Sequence, residues 1–266
     1  MTATERFSPE FMRTHLGASQ VPAALDVSPY ARPVELWEEY LGLRERGRRD
    51  LRRLRCGGEA AELGHELEDG VARVACKRLG VKAAPGETLV HSNGWLAATP
   101  DRVLSSGSLL EVKTVGLASY QTRDASERWG EPGTDEVPVH VAAQVVTQMG
   151  VARDRGLHVD AVHVAALLAG RGVQLYVVRF EQGLWDSVRA GAEAFWTLVQ
   201  KREPPQADGS DAFTQMLQRR FPASTEEWAE GVVVDHLAHE LMAAKDILTD
   251  AEHDYEEVRQ RCMEAI

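Results

Sequence analysis

The sequence predicts a mixed α/β fold with a long helical tail. Apolar residues recur at helical spacing in residues 59–79, 139–152, 184–201 and 225–263, and short strand-like runs lie between these stretches. The chain has 266 residues, of which 44% are apolar, so it can bury a substantial core. No apolar run is long enough to span a membrane. Three dispersed cysteines and an N-terminus without an apolar leader favour a cytoplasmic protein.

The elements of the first half are predicted from periodicity and turn residues. Short helices joined by turns are expected in residues 1–40, where Pro9 and Pro29 each follow a serine, as at a helix start. The first long helix is expected to end at Gly80. Short strands are then predicted at residues 88–91, 94–98, 101–104 and 109–115, the last two joined by a hairpin turn at 105–108.

The second half returns to helices after one more pair of strands. Residues 116–137 are polar and glycine-rich, which predicts a long loop with a helical piece. After the second long helix, a strand hairpin is predicted at 161–168 and 173–180 around a glycine-containing turn. The segment 203–210 contains two prolines and a glycine, so it is expected to end the third helix.

The net charge of −11 is unevenly distributed along the chain. Residues 225–266 carry −9, and residues 1–224 carry only −2, so we expect two domains with these boundaries. Seven arginines against two acids lie in residues 44–55, and arginine forks onto phosphate oxygens. This arrangement is compatible with DNA binding, although the whole-chain charge taken alone argues against it. A solvated helix face is the alternative interpretation of the arginine-rich run, and the use of arginine without lysine favours phosphate contact.

The most specific candidate for a catalytic site is a group of charged residues on two neighbouring predicted strands. Asp101 lies at the start of one predicted strand, and Glu111 and Lys113 lie two apart on the next, which puts both on one face of the hairpin. Converging carboxylates need a cation between them, and oxygen ligands suit Mg²⁺ or Mn²⁺. A nearby ammonium can orient an attacking water, which matches metal-assisted hydrolysis of a phosphodiester. A surface hairpin with an ordinary ion pair is the alternative.

Two helices offer further residues to this motif. Glu68 lies on the first long helix, which leads into the strands, and Gln144 shares one face of the second long helix with Gln148. A buried amide needs hydrogen-bond partners. On periodicity alone, Glu68 equally fits a solvated helix charge, and Gln144 fits a capping or exposed position.

Taken in order, these residues resemble a known family. From about residue 13 to residue 224 the chain resembles the YqaJ viral recombinase family, the phage exonucleases related to lambda exonuclease, within the PD-(D/E)XK nuclease superfamily. The segments that carry the resemblance are Gly17-Ala18-Ser19, Ser28-Pro29-Tyr30, Glu35-Leu36-Trp37, Gly64 to Glu68, Thr99-Pro100-Asp101, Glu111-Val112-Lys113, Gln144 to Met149, Phe195-Trp196, Pro204-Pro205 and Asp208-Gly209-Ser210.

The resemblance implies a fold and a set of site residues. The fold is a restriction-endonuclease-like α/β core, with a mixed central sheet flanked by helices, followed here by a long C-terminal helical extension. The implied reaction site consists of the metal ligands Glu68, Asp101, Glu111 and the Val112 carbonyl, of Lys113 as the residue that positions the water, and of the motif glutamine Gln144.

The resemblance also suggests where DNA binds. Ser19 and Arg13 fall where relatives contact the terminal 5′-phosphate. The arginine-rich run precedes the Glu68 helix, so it is placed to hold backbone phosphates near the metal site. The candidate arginines in it are Arg48, Arg49, Arg52 and Arg53.

The implied function is a Mg²⁺-dependent (or Mn²⁺-dependent) 5′→3′ exonuclease in residues 1–224. It would degrade one strand of double-stranded DNA from its ends, in phage-type recombination by single-strand annealing. A ring-like homo-oligomer and a single-strand annealing protein as partner are also implied. Two alternatives remain open: an endonuclease or a nuclease of other polarity on the same core, and a DNA-end-binding protein without catalysis. The acidic helix at 225–263 is either a docking or oligomer surface or, more simply, a helix packed on its own domain.

Overall fold

The computed structural model describes residues 9–44, 57–116, 124–221 and 232–264. The chain divides into two compact units, with the division between Arg219 and Arg220. The predicted domain boundary after residue 224 lies outside the described residues and stays a prediction. Within the described ranges, no helix combines the length and the apolar character that a membrane crossing requires.

The helices lie close to the stretches predicted from periodicity. Residues 125–127 form a 3₁₀ turn within the predicted polar loop. The α-helices are α1 (Pro9–Thr14), α2 (Val21–Ala24), α3 (Pro33–Tyr40), α4 (Gly57–Leu79), α5 (Val139–Asp154), α6 (Gln182–Lys201), α7 (Asp211–Arg220) and α8 (Val232–Glu264).

The strands form two sheets. Their bounds are β1 (Leu16–Gly17), β2 (Ala83–Pro85), β3 (Leu89–Val90), β4 (Leu96–Ala98), β5 (Arg102–Leu104), β6 (Leu109–Val115), β7 (Ala161–Leu168) and β8 (Gly172–Arg179). The larger sheet has the order β2-β5-β6-β7-β8, and the smaller has the order β1-β4-β3. In the larger sheet β6 runs parallel to β7. The other three pairs of neighbouring strands, β2 with β5, β5 with β6 and β7 with β8, are antiparallel. The predicted mixed α/β fold with a central mixed sheet and a long C-terminal helix is therefore confirmed.

Strand β6 is covered by a helix on each face, and this decides where its side chains point. Leu110 and Val112 pack in a core cluster with residues of α4. Leu109 packs in the main core cluster with residues of α5. Because successive side chains of a strand alternate between faces, Glu111 and Lys113 lie on the α5 side together with Leu109.

The apolar positions of α4 are only partly buried. Val71 and Ala75 pack against the sheet. In contrast, Leu63, Leu67 and Val74 are 51%, 42% and 39% exposed, although they share the predicted helical periodicity. The burial in α4 is thus concentrated after residue 70, where the helix packs on the sheet, and the preceding turns border the cleft described below.

Candidate active site

A cleft of about 770 Å³ brings together residues from distant parts of the sequence. It lies beside β6, and it is also bordered by α4, α5 and the segment around β1. The predicted site residues that line it are Ser19, Glu68, Asp101, Glu111, Val112, Lys113 and Gln144.

The β5–β6 hairpin places Asp101 beside the next strand. The residue after it, Arg102, is paired with Leu110 in the antiparallel register. The Asp101 side chain therefore lies near the start of the Glu111 segment, and its Oδ2 accepts a hydrogen bond from the Val112 backbone N–H at 2.7 Å. This bond fixes the direction of the carboxylate relative to β6.

Glu111 is the centre of the hydrogen-bond network in the cleft. Its side chain is buried, and its Oε1 accepts from Lys113 Nζ at 2.7 Å and from Gln144 Nε2 at 2.6 Å. Its Oε2 accepts from Gln148 Nε2 at 2.6 Å. A buried carboxylate is tolerated when charged and polar donors satisfy it in this way.

Lys113 is held in its charged form. Burial lowers the pKa of its ammonium, but the carboxylate of Glu111 and the nearby Asp101 raise it, and the net direction is upward. Its Nζ also donates to Gln144 Oε1 at 2.8 Å. A charged ammonium cannot accept a proton, so Lys113 is suited to orienting a water or stabilising negative charge rather than to acting as the base.

The pKa of Asp101 is also raised, which for a carboxyl group favours the neutral form. Burial, reinforced by the negative charges of Glu111 and Glu68, raises the pKa of the Asp101 carboxyl to about 8, although the Val112 N–H and Lys113 oppose the shift. Burial and the neighbouring carboxylates thus favour the protonated form of Asp101. A bound cation would relieve the same repulsion by replacing that proton.

Glu68 reaches the cleft but is paired with an arginine. Its Oε1 accepts a hydrogen bond from the Arg102 guanidinium at 2.8 Å, and the same guanidinium contacts Asp69. In the part of the chain that the structure describes, no three His, Cys, Asp or Glu side chains are grouped closely enough to hold a metal ion by themselves. Glu68 thus lies in the same cleft as Asp101 and Glu111 but is hydrogen-bonded to Arg102, and its role as a third metal ligand stays a prediction.

The donors present nevertheless fit a hard divalent cation. Asp101 and Glu111 supply carboxylate oxygens, and Val112 supplies a backbone carbonyl next to them. Mg²⁺ keeps several waters and is commonly held by one or two carboxylates, so two such groups meet its requirement. The raised pKa of Asp101 agrees with this fit, because burial and the neighbouring charges of Glu111 and Glu68 disfavour its ionised form, which a bound cation would stabilise.

Of the residues predicted to contact DNA, only Ser19 lines the cleft among those that the structure describes. Ser19 is exposed and lines the cleft. Arg13 is exposed on α1 and, among the described residues, is not one of those lining the cleft. The four candidate arginines of the run, at positions 48, 49, 52 and 53, lie outside the described residues.

Two residues of the network were not assigned to the site from the sequence. Gln148 is 1% exposed and holds the second oxygen of Glu111. Its spacing of four from Gln144 was the available signal, since both share one face of α5. Arg102 had no such signal, because the fold alone brings its guanidinium to Glu68.

The fold is similar to those of solved exonuclease structures. The alkaline exonuclease LHK-Exo from Laribacter hongkongensis is 14% identical, with a TM-score of 0.50 over 79% of this chain and 95% of that chain. Its complex with dAMP is 15% identical, with a TM-score of 0.50 over 79% and 94%. A putative exonuclease from Eubacterium rectale is 10% identical, with a TM-score of 0.55 over 87% and 96%. At these identities the likeness establishes the fold.

The sequence itself matches a family. No curated protein matches the chain. Residues 10–155 match the YqaJ-like viral recombinase domain, and this segment contains every carboxylate of the cleft network as well as Lys113 and Gln144. The match covers more than half of the sequence, which confirms the predicted resemblance: the chain belongs to the YqaJ-like viral recombinase domain family.

Proposed function

We propose that this protein is a Mg²⁺-dependent (or Mn²⁺-dependent) exonuclease that degrades one strand of double-stranded DNA from its end in the 5′→3′ direction. The observation that carries the proposal is the cleft network, in which two carboxylates, Asp101 and Glu111, adjoin the ammonium of Lys113. Membership of a viral recombinase family supports DNA as the substrate. The exonuclease names of the structures with the same fold support attack from an end.

The chain's own residues account for the positioning part of such a reaction. Asp101, Glu111 and the Val112 carbonyl would hold the cation, which when bound neutralises phosphate charge and activates the attacking water. Lys113 donates to two acceptors among the described residues, and an ammonium has three N–H donors, so one is available to orient that water. Gln144 bridges Lys113 and Glu111 and thereby fixes both.

Ser19 provides the proposed end recognition. Its exposed hydroxyl lies in the same cleft as the carboxylates, so a strand end held there has its terminal phosphate near Ser19 and an internal phosphodiester near Lys113. Arg13 and the arginines of the run (Arg48, Arg49, Arg52 and Arg53) are proposed to contact phosphates further along the duplex. The family further supports a role in recombination by single-strand annealing, with an annealing protein as partner and several copies assembled around the duplex.

Digestion of linear duplex DNA in Mg²⁺ tests the proposal. Glu111→Gln and Lys113→Met are each expected to lower the rate by about 10²- to 10⁴-fold, because each removes a group that orients the reacting atoms. The matched controls Glu87→Gln and Lys82→Met alter exposed residues and should retain the wild-type rate. Variants of Glu111 and Lys113 that digest DNA as fast as their controls would remove the site assignment.

The substrate distinguishes the competing functions. A 5′-phosphorylated end should be digested faster than a 5′-hydroxyl end, and Ser19→Ala should reduce this difference. Cutting of closed circular DNA would show an endonuclease, and release of label first from 3′ ends would show the opposite polarity. Binding of DNA ends in Mg²⁺ or Mn²⁺ without digestion would show an end-binding protein without catalysis.

A further inference from the structure

Helix α8 carries a regular apolar stripe that the proposed nuclease reaction does not use. The spacing along the stripe alternates between four and three residues without interruption over more than three heptads, which is the a/d pattern of a coiled coil. Every position of the stripe is occupied by an apolar or small side chain. The positions, beginning at a d position, are Leu237, Leu241, Ala244, Leu248, Ala251, Tyr255, Val258 and Cys262.

The large side chains of this stripe are exposed. Leu241 is 71% exposed, Tyr255 is 69% exposed, and Leu237, Leu248 and Val258 are each at least half exposed. The helix has 33 residues, which corresponds to about 50 Å. A helix gains most of its stability by burying such a stripe. The length and regularity of the stripe on α8 therefore indicate that it packs against another long helix with the same spacing of apolar residues.

The charges beside the stripe indicate what that partner is. In a parallel, in-register pair, each g position lies opposite the e position of the following heptad on the other helix. Glu240 then faces Lys245 of the second copy, and Asp254 faces Arg259 of the second copy. Of the other pairs in this register, Ile247 faces Glu252 and Val233 faces Ala238, so no two like charges face each other. The sequence of α8 is complementary to itself.

We propose that α8 is an assembly element that pairs with α8 of a second copy in a parallel coiled coil. Leucines at positions 237, 241 and 248 form the well-filled layers, and the alanines at 244 and 251 form thin ones. The thin layers bury less apolar area and so lower the affinity of the pair. The fraction of paired helices therefore varies with protein concentration in the micromolar range. It requires neither DNA nor a metal ion, and it stands whether or not the proposed nuclease activity does.

Oxidative cross-linking of the full chain tests the pairing and its direction. Cys262 occupies an a position, so a parallel in-register pair places two Cys262 thiols across one layer, within reach of a disulfide. Diamide, which is itself reduced as it oxidises two thiols to a disulfide, should produce a covalent dimer that Cys262→Ser abolishes. The matched control moves the cysteine one position outward, in Cys262→Ser/Met263→Cys, and should cross-link about tenfold more slowly because its thiols face solvent.

Substitutions on and off the stripe give the second readout. Leu241→Glu with Leu248→Glu buries charges in the pair and should slow cross-linking of Cys262 by about a hundredfold. Met242→Glu with Thr249→Glu adds the same charge at exposed neighbouring positions and should leave cross-linking unchanged. This readout reports contact between the helices themselves, so it is independent of any assembly through residues 1–219.

Charge reversal tests the register. Glu240→Lys should weaken cross-linking several-fold, and adding Lys245→Glu to it should restore the wild-type rate, because the opposite charges are re-formed. Equal cross-linking at positions 262 and 263, no effect of the leucine substitutions, or absence of cross-linking at micromolar protein would each overturn the proposal. The last result would leave α8 free for a different partner protein.

Discussion

Replacing Gln148 by methionine is expected to impair catalysis more than folding. The amide is 1% exposed, and its Nε2 donates to Glu111 Oε2 at 2.6 Å. Its Oε1 is also buried and has no hydrogen-bond partner among the described residues. Methionine has a similar length and volume, so the substitution removes both polar atoms and leaves the packing nearly intact.

The two polar atoms have opposite effects on the free energy of unfolding. Loss of a hydrogen bond to a charged group lowers it by about 1.5–3 kcal/mol, and removal of a buried acceptor without a partner raises it by about 1–3 kcal/mol. We therefore expect a net change within about 1–2 kcal/mol of zero. The loss of catalytic rate has no such compensation, because Glu111 Oε2 loses the hydrogen-bond donor that holds the carboxylate in place. If this bond is worth about 1.5–3 kcal/mol in the transition state, the rate falls by roughly 10- to 100-fold.

Single-turnover digestion of a linear duplex in Mg²⁺, measured beside urea unfolding of the same samples, separates the two effects. The matched control is Thr147→Val, the neighbouring position on α5. Thr147 is also fully buried, but its Oγ1 donates to the Ala143 carbonyl at 2.8 Å and does not contact Glu111. The control should digest DNA at the wild-type rate. A Gln148→Met variant within twofold of wild type, or one whose loss of rate is matched by its unfolded fraction, would refute the positioning role.

Two further predictions concern the stability of the core. Gly150→Ala should lower the free energy of unfolding by about 1–3 kcal/mol, because the added Cβ would lie 2.3 Å from the ring of Trp185 and force α5 and α6 apart. Urea unfolding checks this, with Gly183→Ala on α6 as the control, since nothing lies within 4 Å of its added Cβ; equal midpoints would contradict it. Burial, aided by the charge of Lys113, lowers the pKa of His140 to about 4. Between these two pH values His140 binds a proton in the unfolded chain but not in the folded chain. The free energy of unfolding should therefore fall as the pH drops from about 6.5 to about 4. His140→Leu should flatten this part of the curve, and an unchanged curve would show that His140 does not cause it.

Much of the fold was predictable because its signals are local. The β5–β6 hairpin is encoded by two short runs and a turn at residues 105–108, and alternation along β6 already put Glu111 and Lys113 on one face. The β7–β8 hairpin follows in the same way from its glycine-containing turn. Strands β1 and β2 were not predicted, because each has only two or three residues and is defined by its pairing, with β4 and β5 respectively.

Periodicity did not predict which apolar residues of the helices are buried. The spacing in α4 assigned one apolar face to Leu63, Leu67 and Val71, yet the first two are exposed. Helical spacing identifies a face but not how far a neighbouring sheet extends along it. The same limit applies to α8, whose stripe is evident in the sequence while its exposure is visible only in the structure.

By itself, the sequence determined the long helices, the strands β3 to β8 in their order, the family, and the residue types needed for a carboxylate–lysine site. These depend on interactions within a few residues or on a motif read in order. Only the tertiary structure decided which groups meet: Gln148 with Glu111, and Arg102 with Glu68. It also decided that Asp101 is buried beside other carboxylates, which raises its pKa. The physical reason is that hydrogen bonds, burial and charge repulsion act over a few ångströms in space, and the two hydrogen bonds join residues that the chain separates by more than thirty positions.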